Sequence, residues 1–376
     1  MSLSDHQRMV ADGIRVKAYR DAIRAAVKPG DVVVDIGTGT GLLAVFAAQA
    51  GAKRVYAMEW GSVHRVAQDV AKANGLGDVI TVLQGDSRKL SLPEPADWVI
   101  SELMGSFGLE ENLMGVLMDA RRWLKPTGQF LPERLHFRLA PVMAPQTEAG
   151  LSFWETVDLG VDLRPVAASA RADLQRADPA DLTLLADAGL WQTVVPATLA
   201  APHLSGSLTF PITAAGVCHG FAGWFEAELA GGVTLRNGPT DPATHWGCAY
   251  LSLDAPLAVT PGDTVTLDLK VVTVVDSITW TWRWDWNGRR QGAGGSDDLW
   301  ASLAAQVAAP GASPAGLELT PDGQMIATVL AAGGTGRTEG EVVALLHAEG
   351  GAFADVATAR RWVRKTVSRY GRPIGP

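Results

Sequence analysis

A strand, a glycine-rich turn and a helix follow one another near the start of the sequence and constrain its fold most. Asp31–Ile36 is an apolar, β-branched run, and Leu42–Ala50 has a helical apolar pattern that stops at Gly51. The turn between them reads Gly37-Thr38-Gly39-Thr40-Gly41. Glycines tolerate positive φ and let the backbone approach a ligand closely, although an ordinary βα turn can carry the same pattern.

Polar residues follow the next three predicted strands. Arg54–Met58 ends in Glu59, about 20 residues after the glycine turn, where an acid can accept hydrogen bonds from a ribose diol. Val79–Leu83 runs into Gly85-Asp86-Ser87, and the fourth strand runs into Ser101-Glu102. Because open α/β sheets bind ligands at the carboxyl ends of their strands, the sequence predicts a nucleotide-binding edge.

Two carboxylates bracket the loop after the fourth strand. Glu102 and Glu111 flank a glycine-containing segment within SELMGSFGLEENLM. Carboxylates accept the rigid donor fork of a guanidinium through charge-assisted hydrogen bonds, so this pair could hold an arginine side chain. The alternative is that Glu111, which follows Glu110 at a helix start, only complements the helix dipole.

Three motifs together resemble a known family. DIGTGTG with Glu59 resembles the S-adenosylmethionine site of class I methyltransferases. The SELMGSFGLEE loop resembles the double-glutamate loop of protein arginine N-methyltransferases, and Thr244-His245-Trp246 resembles their threonine–histidine–tryptophan loop. Over about residues 6–290 the resemblance implies an α/β fold: a Rossmann-like methyltransferase domain, then an antiparallel β-barrel with a dimerisation arm.

The resemblance also implies the site residues. The catalytic set is Glu102, Glu111 and His245. The residues implied to bind S-adenosyl-L-methionine are His6, Met9, Arg15, Asp35, Gly37, Thr38, Gly39, Gly41, Glu59, Asp86 and Ser87. In this comparison Arg15 holds the methionine carboxylate, and His245 helps to dispose of the proton. The alternatives are a solvated helix face for His6 and Arg15 and a hydrogen-bonded histidine at a barrel turn for His245.

The amino-terminal segment resembles the family helix that closes over the cofactor. His6–Ile23 is predicted to be one amphipathic helix. Two departures accompany this match. The residues before it lack the pair of tyrosines that the family places there, and Arg88 stands where the family usually has an adenine-binding acid. Asp86 or backbone groups are therefore expected to contact the adenine.

The sequence predicts three domains. These are an S-adenosylmethionine-binding domain over residues 1–133, a β-barrel over 134–290 with an arm at about 153–190, and a C-terminal helical, winged-helix-like domain over 299–376. Gly288–Asp298 is interpreted as a glycine-rich linker. Four tryptophans alternate along one strand, which favours core or dimer packing over base stacking. They are Trp280, Trp282, Trp284 and Trp286.

Composition excludes some classes of protein. The 376 residues carry a formal net charge of −8, which argues against a general nucleic-acid binder and is compatible with a cationic substrate. Cys218 and Cys248 are the two cysteines, and their spacing predicts neither a disulfide framework nor a zinc site. Because the sequence shows neither a signal peptide nor an 18-residue apolar run, it predicts a cytoplasmic protein that does not interact with membranes.

The function expected from these features is S-adenosylmethionine-dependent N-methylation of an arginine guanidinium by a homodimer. The acceptor is a protein, a peptide or free arginine, and bacterial natural-product biosynthesis is one setting for it. One alternative is methylation of another nucleophile on a peptide or small-molecule natural product. The other is a non-catalytic cofactor-binding scaffold, motivated by Arg88 and the missing tyrosines.

Overall fold

The computed structural model describes residues 2–274 and 277–295. The predicted C-terminal domain at 299–376 lies outside the described residues. The helices are α1 (Leu3–Ala11), α2 (Gly13–Ala26), α3 (Leu42–Gln49), α4 (His64–Ala73), α5 (Leu113–Ala120), α6 (Pro145–Thr156) and α7 (Arg164–Ala172). The strands are β1 (Val32–Ile36), β2 (Arg54–Glu59), β3 (Ile80–Gln84), β4 (Ala96–Ser101), β5 (Leu124–Leu131), β6 (Arg134–Met143), β7 (Gln175–Ala177), β8 (Thr183–Leu184), β9 (Gly189–Val194), β10 (His203–Pro211), β11 (Gly216–Glu228), β12 (Thr234–Arg236), β13 (Cys248–Val259), β14 (Thr264–Val274), β15 (Ser277–Trp286) and β16 (Arg289–Gly295).

The first five strands form a parallel sheet in the order β3-β2-β1-β4-β5. Every residue of β1 is buried, which explains its β-branched residues Val32–Val34 and Ile36, since strands covered on both faces are rich in apolar side chains. Successive strands are added on one side of β1 up to β3 and on its other side from β4, so β1 and β4 are parallel neighbours whose carboxyl ends open onto one crevice. The glycine turn and the double-glutamate loop therefore meet, and the predicted Rossmann-like fold is confirmed.

The second half of the described chain consists of two antiparallel sheets. One has the order β10-β14-β15-β16, and the other has the order β7-β13-β11-β6-β8, with β12 added to β11 and β9 to β6. Trp280, Trp282 and Trp284 are at most 4% exposed and belong to the main core. The interpretation of the tryptophan stripe as core is thus confirmed, and the predicted antiparallel domain is present.

The predicted glycine-rich linker is wrong over most of its length. Arg289–Gly295 forms β16, which pairs with β15. Gly292 lies against the indole of Trp284 and Gly294 against that of Trp282, so a Cβ at either glycine would collide with a ring. Glycine is abundant here because the neighbouring strand's tryptophans fill the space, rather than because the chain is a linker.

The prediction of a single helix over His6–Ile23 is also wrong. The structure has two helices that break at Asp12, whose side chain accepts a hydrogen bond from the backbone N–H of Arg15 at 3.0 Å. Asp12 is therefore an N-cap, which satisfies one of the free N–H groups at the start of a helix. The Asp-Gly pair at positions 12 and 13 is the sequence signal for this break.

The arm is built from α6 and α7, and it differs in extent from the predicted segment. The helices begin at Pro145, earlier than expected, and after Ala172 the chain returns to the sheet as β7. The Arg171 guanidinium joins the two helices through Glu148, with Nη2 and Oε1 2.6 Å apart. Within the described residues, none of the helices is long and apolar enough to span a membrane.

Candidate active site

A cavity of about 650 Å³ opens at the carboxyl edge of the parallel sheet. All the predicted site residues except Asp35 and Gly41 line it. They are His6, Met9, Arg15, Gly37, Thr38, Gly39, Glu59, Asp86, Ser87, Glu102, Glu111 and His245. Residues predicted to bind the cofactor and residues predicted to act on the substrate therefore share one cavity, although they come from distant parts of the chain.

The glycine turn forms one wall of this cavity. Gly37 and Gly39 have φ angles of 70° and 55°, in the left-handed region that favours glycine. A Cβ on Gly39 would lie 3.0 Å from Cε1 of His6, so the imidazole rests close to the backbone of the turn. Burial lowers the pKa of His6, which favours the neutral ring beside this wall.

Two predicted cofactor residues do not reach the cavity. Asp35 is fully buried and accepts a hydrogen bond from the Thr38 hydroxyl at 2.6 Å, and burial raises its pKa to about 6. Gly41 packs against Ala67 of α4, where an added Cβ would lie 3.3 Å from the alanine. Both residues support the turn without lining the cavity, and their assignment as cofactor-binding residues stays a prediction.

Glu59 lies at the end of β2 and is held by backbone donors. Its Oε2 accepts from the N–H of Gly39 at 3.0 Å, and its Oε1 accepts from the N–H of Gly61 at 2.6 Å. Each carboxylate oxygen keeps further acceptor capacity that a diol could use. Trp60, which sequence reasoning missed, also lines the cavity and is 63% exposed.

Asp86 is already engaged by a side chain of the protein. The guanidinium of Arg88 forks onto it, with Nε and Nη2 each 2.9 Å from a carboxylate oxygen. Burial alone would raise the pKa of Asp86, but the hydrogen bonds from Arg88 hold it below its ordinary value. Arg88, which departs from the family pattern, therefore forms an ion pair with Asp86.

Arg15 and Glu102 form a buried ion pair inside the cavity. Their side chains are 9% and 5% exposed, and both Nε and Nη2 of Arg15 contact Oε2 of Glu102, Nε at 2.6 Å. Oε1 of Glu102 accepts from the backbone N–H of Met104 at 3.2 Å. A carboxylate has about four acceptor sites, so these three contacts leave capacity for a further donor.

The structure separates the roles of the adjacent acids at 110 and 111. Glu110 turns inward and accepts hydrogen bonds from the backbone N–H groups of Phe107 and Leu109, at 2.8 and 2.9 Å. Glu111 lines the cavity instead, and its side chain is exposed to solvent. The surrounding protein and the charges of Glu102 and Glu110 raise the pKa of Glu111 to about 7.

His245 pairs with Asp12, a contact that sequence reasoning missed. Oδ2 of Asp12 is 2.9 Å from Nδ1 of His245 and also 2.9 Å from its backbone nitrogen. Burial would raise the pKa of Asp12, yet the hydrogen bonds from His245 and Arg15 lower it. The ionised carboxylate therefore favours the tautomer with a proton on Nδ1, which leaves Nε2 as a proton acceptor.

Aromatic packing fixes the double-glutamate loop against the antiparallel domain. The ring of Phe107, 1% exposed, lies 5.6 Å from that of Phe137 and 5.8 Å from that of Trp191. Nε1 of Trp246 donates to the carbonyl of Met104 at 2.5 Å. The loop that carries the two glutamates and the loop that carries His245 are thereby held together.

S-adenosylmethionine fits this cavity. Cavities for ligands of that size are typically about 300–1,000 Å³, and this one lies within that range. The glycine turn leaves room for close backbone approach, Glu59 offers acceptors at the strand end, and Arg15 is a cation that a carboxylate group could reach. The residues present therefore match the charges and polar groups of the cofactor.

Two family descriptions match consecutive parts of the chain. "Methyltransferase domain" matches residues 33–128, which cover the parallel sheet. "Arginine methyltransferase oligomerization subdomain" matches residues 140–279, which cover the arm and most of the antiparallel sheets. The two descriptions follow the two halves of the described fold.

Curated relatives are similar over most of the described chain. Protein arginine N-methyltransferase 6 of Xenopus tropicalis is 33% identical over 282 residues, which are 71% of this chain and 83% of that protein. Histone-arginine methyltransferase CARMER of Anopheles gambiae is 31% identical over 280 residues, 70% of this chain and 45% of that protein. The chain thus spans less than half of this second relative.

Solved structures share the fold. An enzyme–prozyme heterotetrameric complex of Trypanosoma brucei PRMT1 with AdoHcy has a TM-score of 0.71 at 24% identity and covers 78% of this chain and 98% of that one. Protein arginine methyltransferase 10 of Arabidopsis thaliana has a TM-score of 0.67 at 25% identity, covering 79% and 98%.

Fold and cavity define an S-adenosylmethionine-dependent class I methyltransferase. The match to the Xenopus enzyme is specific enough to name the family. The chain belongs to the protein arginine N-methyltransferase family.

Proposed function

We propose that this enzyme methylates an arginine guanidinium in the cavity at the sheet edge, with Glu102 and Glu111 holding the acceptor and His245 taking its proton. The observation that carries the proposal is that these three side chains line the same cavity as the glycine turn and Glu59. Holding two reactants in near-attack geometry removes about 7–11 kcal/mol from a barrier, so positioning is the main task of the protein.

The cofactor half of the cavity comprises the glycine turn, Glu59, Arg15, His6 and Met9. When bound, S-adenosylmethionine supplies a methyl group on a positively charged sulfur. Glu59 accepts the ribose hydroxyls, Arg15 pairs with the methionine carboxylate, and His6 closes over Gly39. Since Arg15 also bonds Glu102, one guanidinium links the cofactor half to the substrate half.

The acceptor half contains two carboxylates in different environments. Glu102 is oriented by Arg15 and by the N–H of Met104, which fixes the direction of its remaining acceptor site. Glu111 is accessible to the cavity, and a cation that enters would lower its raised pKa and make it an ionised partner. Together the two acids hold a planar guanidinium in one orientation.

Proton removal falls to His245 and Asp12. Asp12 fixes the ring through Nδ1 at 2.9 Å, so Nε2 accepts the proton that the methylated nitrogen loses. The resulting imidazolium is stabilised by the adjacent carboxylate. That Glu102, Glu111 and His245 all line the cavity argues against the non-catalytic scaffold alternative.

The acceptor molecule is an arginine in a protein or peptide, or free arginine. A matched pair of peptides that differ only in arginine or lysine at one position tests the guanidinium requirement. The arginine peptide should take up label from S-adenosylmethionine and the lysine peptide should not, because an ammonium lacks the planar fork that two carboxylates grip. Equal labelling of both peptides would favour the alternative of another nucleophile.

Glu59→Ala is expected to weaken S-adenosylmethionine binding. The change removes acceptors for the ribose hydroxyls, and hydrogen bonds to charged groups contribute about 1.5–3 kcal/mol, so the Kd should rise about 10- to 100-fold. Calorimetry measures the effect, with Glu133→Ala, an exposed acid outside the cavity, as control. Equal affinities of the two variants would remove Glu59 from the cofactor site.

The active form is proposed to be a homodimer formed through the arm. Four apolar arm side chains are 40–67% exposed, which is unusual for a surface without a partner. They are Phe153, Leu159, Val161 and Val166. The family description that matches this region is an oligomerisation subdomain, which supports the proposal.

Leu159→Ser is expected to shift the dimer to monomer. It replaces an apolar side chain that is 67% exposed in the single chain and that the proposed dimer would bury. Light scattering at micromolar concentration measures the mass. Leu190→Ser, at an exposed leucine on β9 outside the arm, is the matched control and should remain dimeric. A wild-type monomer under these conditions would contradict the homodimer.

Three sequence-based expectations stay predictions. They are the domain boundaries at 133 and 290, the cytoplasmic location and the lack of a nucleic-acid partner.

A further inference from the structure

The segment His245–Gly247 is held by side chains from elsewhere in the chain. It precedes β13, and three consecutive carbonyl groups accept hydrogen bonds from two side chains. Arg176 donates from Nη2 to the carbonyl of His245 at 2.9 Å and from Nε to that of Trp246 at 2.6 Å. Nδ2 of Asn237 donates to the carbonyl of Gly247 at 2.7 Å.

Arg176 lies where the arm rejoins the sheet. It is the central residue of β7, which follows α7 and pairs with the start of β13, with Arg176 opposite Ala249. Nε2 of Gln175 donates to the carbonyl of Ala170 in α7 at 3.0 Å. The hydroxyl of Ser252 in β13 donates to the carbonyl of Arg171 at 2.8 Å, which ties the arm to the same strand.

The donor geometry of Arg176 suits this task. Two nitrogens of one planar guanidinium reach two successive carbonyls, whereas the ammonium of lysine is a single point donor. Among the residues that the structure describes, Arg176 has no carboxylate within ion-pair distance, so its positive charge is directed to these carbonyls. Hydrogen bonds from a charged donor are stronger than those from a neutral one.

We infer that Arg176 is a positioning residue for His245. It fixes the backbone of His245 from one side while Asp12 fixes the ring and the backbone N–H from the other, so the imidazole is held at both ends. The inference rests on the proposed function of His245. It also joins the base of the arm to the proton acceptor, and no motif in the sequence signals this link.

Arg176 also lines the cavity, so a competing role is direct contact with an anionic group of the substrate. The two roles predict different kinetics. A positioning residue changes kcat through His245, whereas a substrate contact of uniform strength changes KM and leaves kcat alone. The two roles also differ in whether the effect depends on the presence of His245.

The experiment compares Arg176→Gln and Arg176→Lys with Arg134→Gln as control. Arg134 lies at the start of β6, outside the arm and the cavity, and pairs with exposed Glu228, so its loss changes the net charge as Arg176→Gln does without touching the His245 segment. We expect kcat on an arginine peptide to fall about tenfold or more in Arg176→Gln and less in Arg176→Lys, with the cofactor Kd within about twofold of wild type. Arg134→Gln should leave kcat unchanged.

A double-mutant cycle with His245→Gln separates positioning from a general structural effect. If Arg176 acts through His245, adding Arg176→Gln to His245→Gln should cause almost no further loss. Fully additive losses, or a higher substrate KM at unchanged kcat, would overturn the inference. A normal kcat of Arg176→Gln together with a reduced kcat of His245→Gln would also overturn the inference. A normal kcat of His245→Gln would instead contradict the proposed role of His245. Melting temperatures of all variants report folding, and Arg176→Lys retains the charge if Arg176→Gln is unstable.

Discussion

Replacing Glu111 by glutamine is expected to lower kcat/KM for an arginine substrate by about 10- to 100-fold, since a charged hydrogen bond to guanidinium contributes about 1.5–3 kcal/mol. Glutamine keeps the shape of the side chain but lacks the charge that pairs with a cation. The measurement is initial-rate kinetics on an arginine peptide, with Glu133→Gln as control. Near-normal rates in Glu111→Gln would contradict arginine as the acceptor.

The ionisation of Glu111 predicts how kcat/KM depends on pH. The pKa of Glu111 is raised to about 7 by burial and by the charges of Glu102 and Glu110, so below that pH the acid is neutral and cannot pair with a cation. kcat/KM should therefore rise by about tenfold per unit as pH approaches 7 from below, and then level off. Glu111→Gln should lose this limb. A wild-type profile that is flat between about pH 6 and 8 would contradict the assignment.

Substitution of Glu102 is a less direct test of whether a guanidinium is the acceptor. Its substitution by glutamine also removes the charge partner of Arg15, whose side chain is 9% exposed, so a buried cation would be left without its carboxylate. A loss of activity in Glu102→Gln would therefore combine substrate binding, cofactor binding and stability. Glu111 lines the cavity and has no such ion-pair partner among the described residues, so it reports on the acceptor more directly.

Asp12→Asn is expected to lower kcat by about 100-fold, the lower range of general acid–base effects. Oδ1 of Asp12 accepts from the backbone N–H of Arg15, and Oδ2 accepts from the backbone N–H and from Nδ1 of His245. If the amide NH₂ faces His245, it opposes the backbone N–H and disfavours the tautomer with a proton on Nδ1; if it faces Arg15, the N-cap bond is lost instead. In both orientations the negative charge that stabilises the His245 imidazolium is lost.

Asp21→Asn is the matched control, because Asp21 lies on α2, the helix that Asp12 caps, but pairs with exposed Lys17. Single-turnover rates at saturating cofactor measure the effect, and calorimetry reports the cofactor Kd. Turnover of Asp12→Asn equal to that of Asp21→Asn would show that the Asp12–His245 contact plays no part in the reaction.

Much of the cofactor half could be predicted from the sequence because its signals are local. The order of strand, glycine turn and acid is set by burial and by positive φ, and both leave a pattern within about 30 residues. The same local reasoning included Asp35 at the end of β1 and Gly41 at the end of the turn, which do not line the cavity. It also extended one helix through Asp12, because the apolar pattern continues across the break.

The contacts that connect the two halves could not be predicted, since they join residues far apart in sequence. Asp12 and His245 are separated by 233 positions, and Arg176 and His245 by 69. Neither pair has a sequence spacing that marks it. Likewise, the glycines of β16 resemble a linker until the indoles of β15 are seen to occupy the space beside them.

The central claim is that a guanidinium nitrogen receives the methyl group. It is tested most directly by incubating the wild-type enzyme and Glu111→Gln with methyl-deuterated S-adenosylmethionine and the matched arginine and lysine peptides, together with free arginine. Tandem mass spectrometry then locates the labelled methyl group. We predict label on the guanidinium of an arginine-containing acceptor, strongly reduced in Glu111→Gln and absent from the lysine peptide. Label on lysine or another nucleophile, or equal arginine labelling by both enzymes, would contradict it.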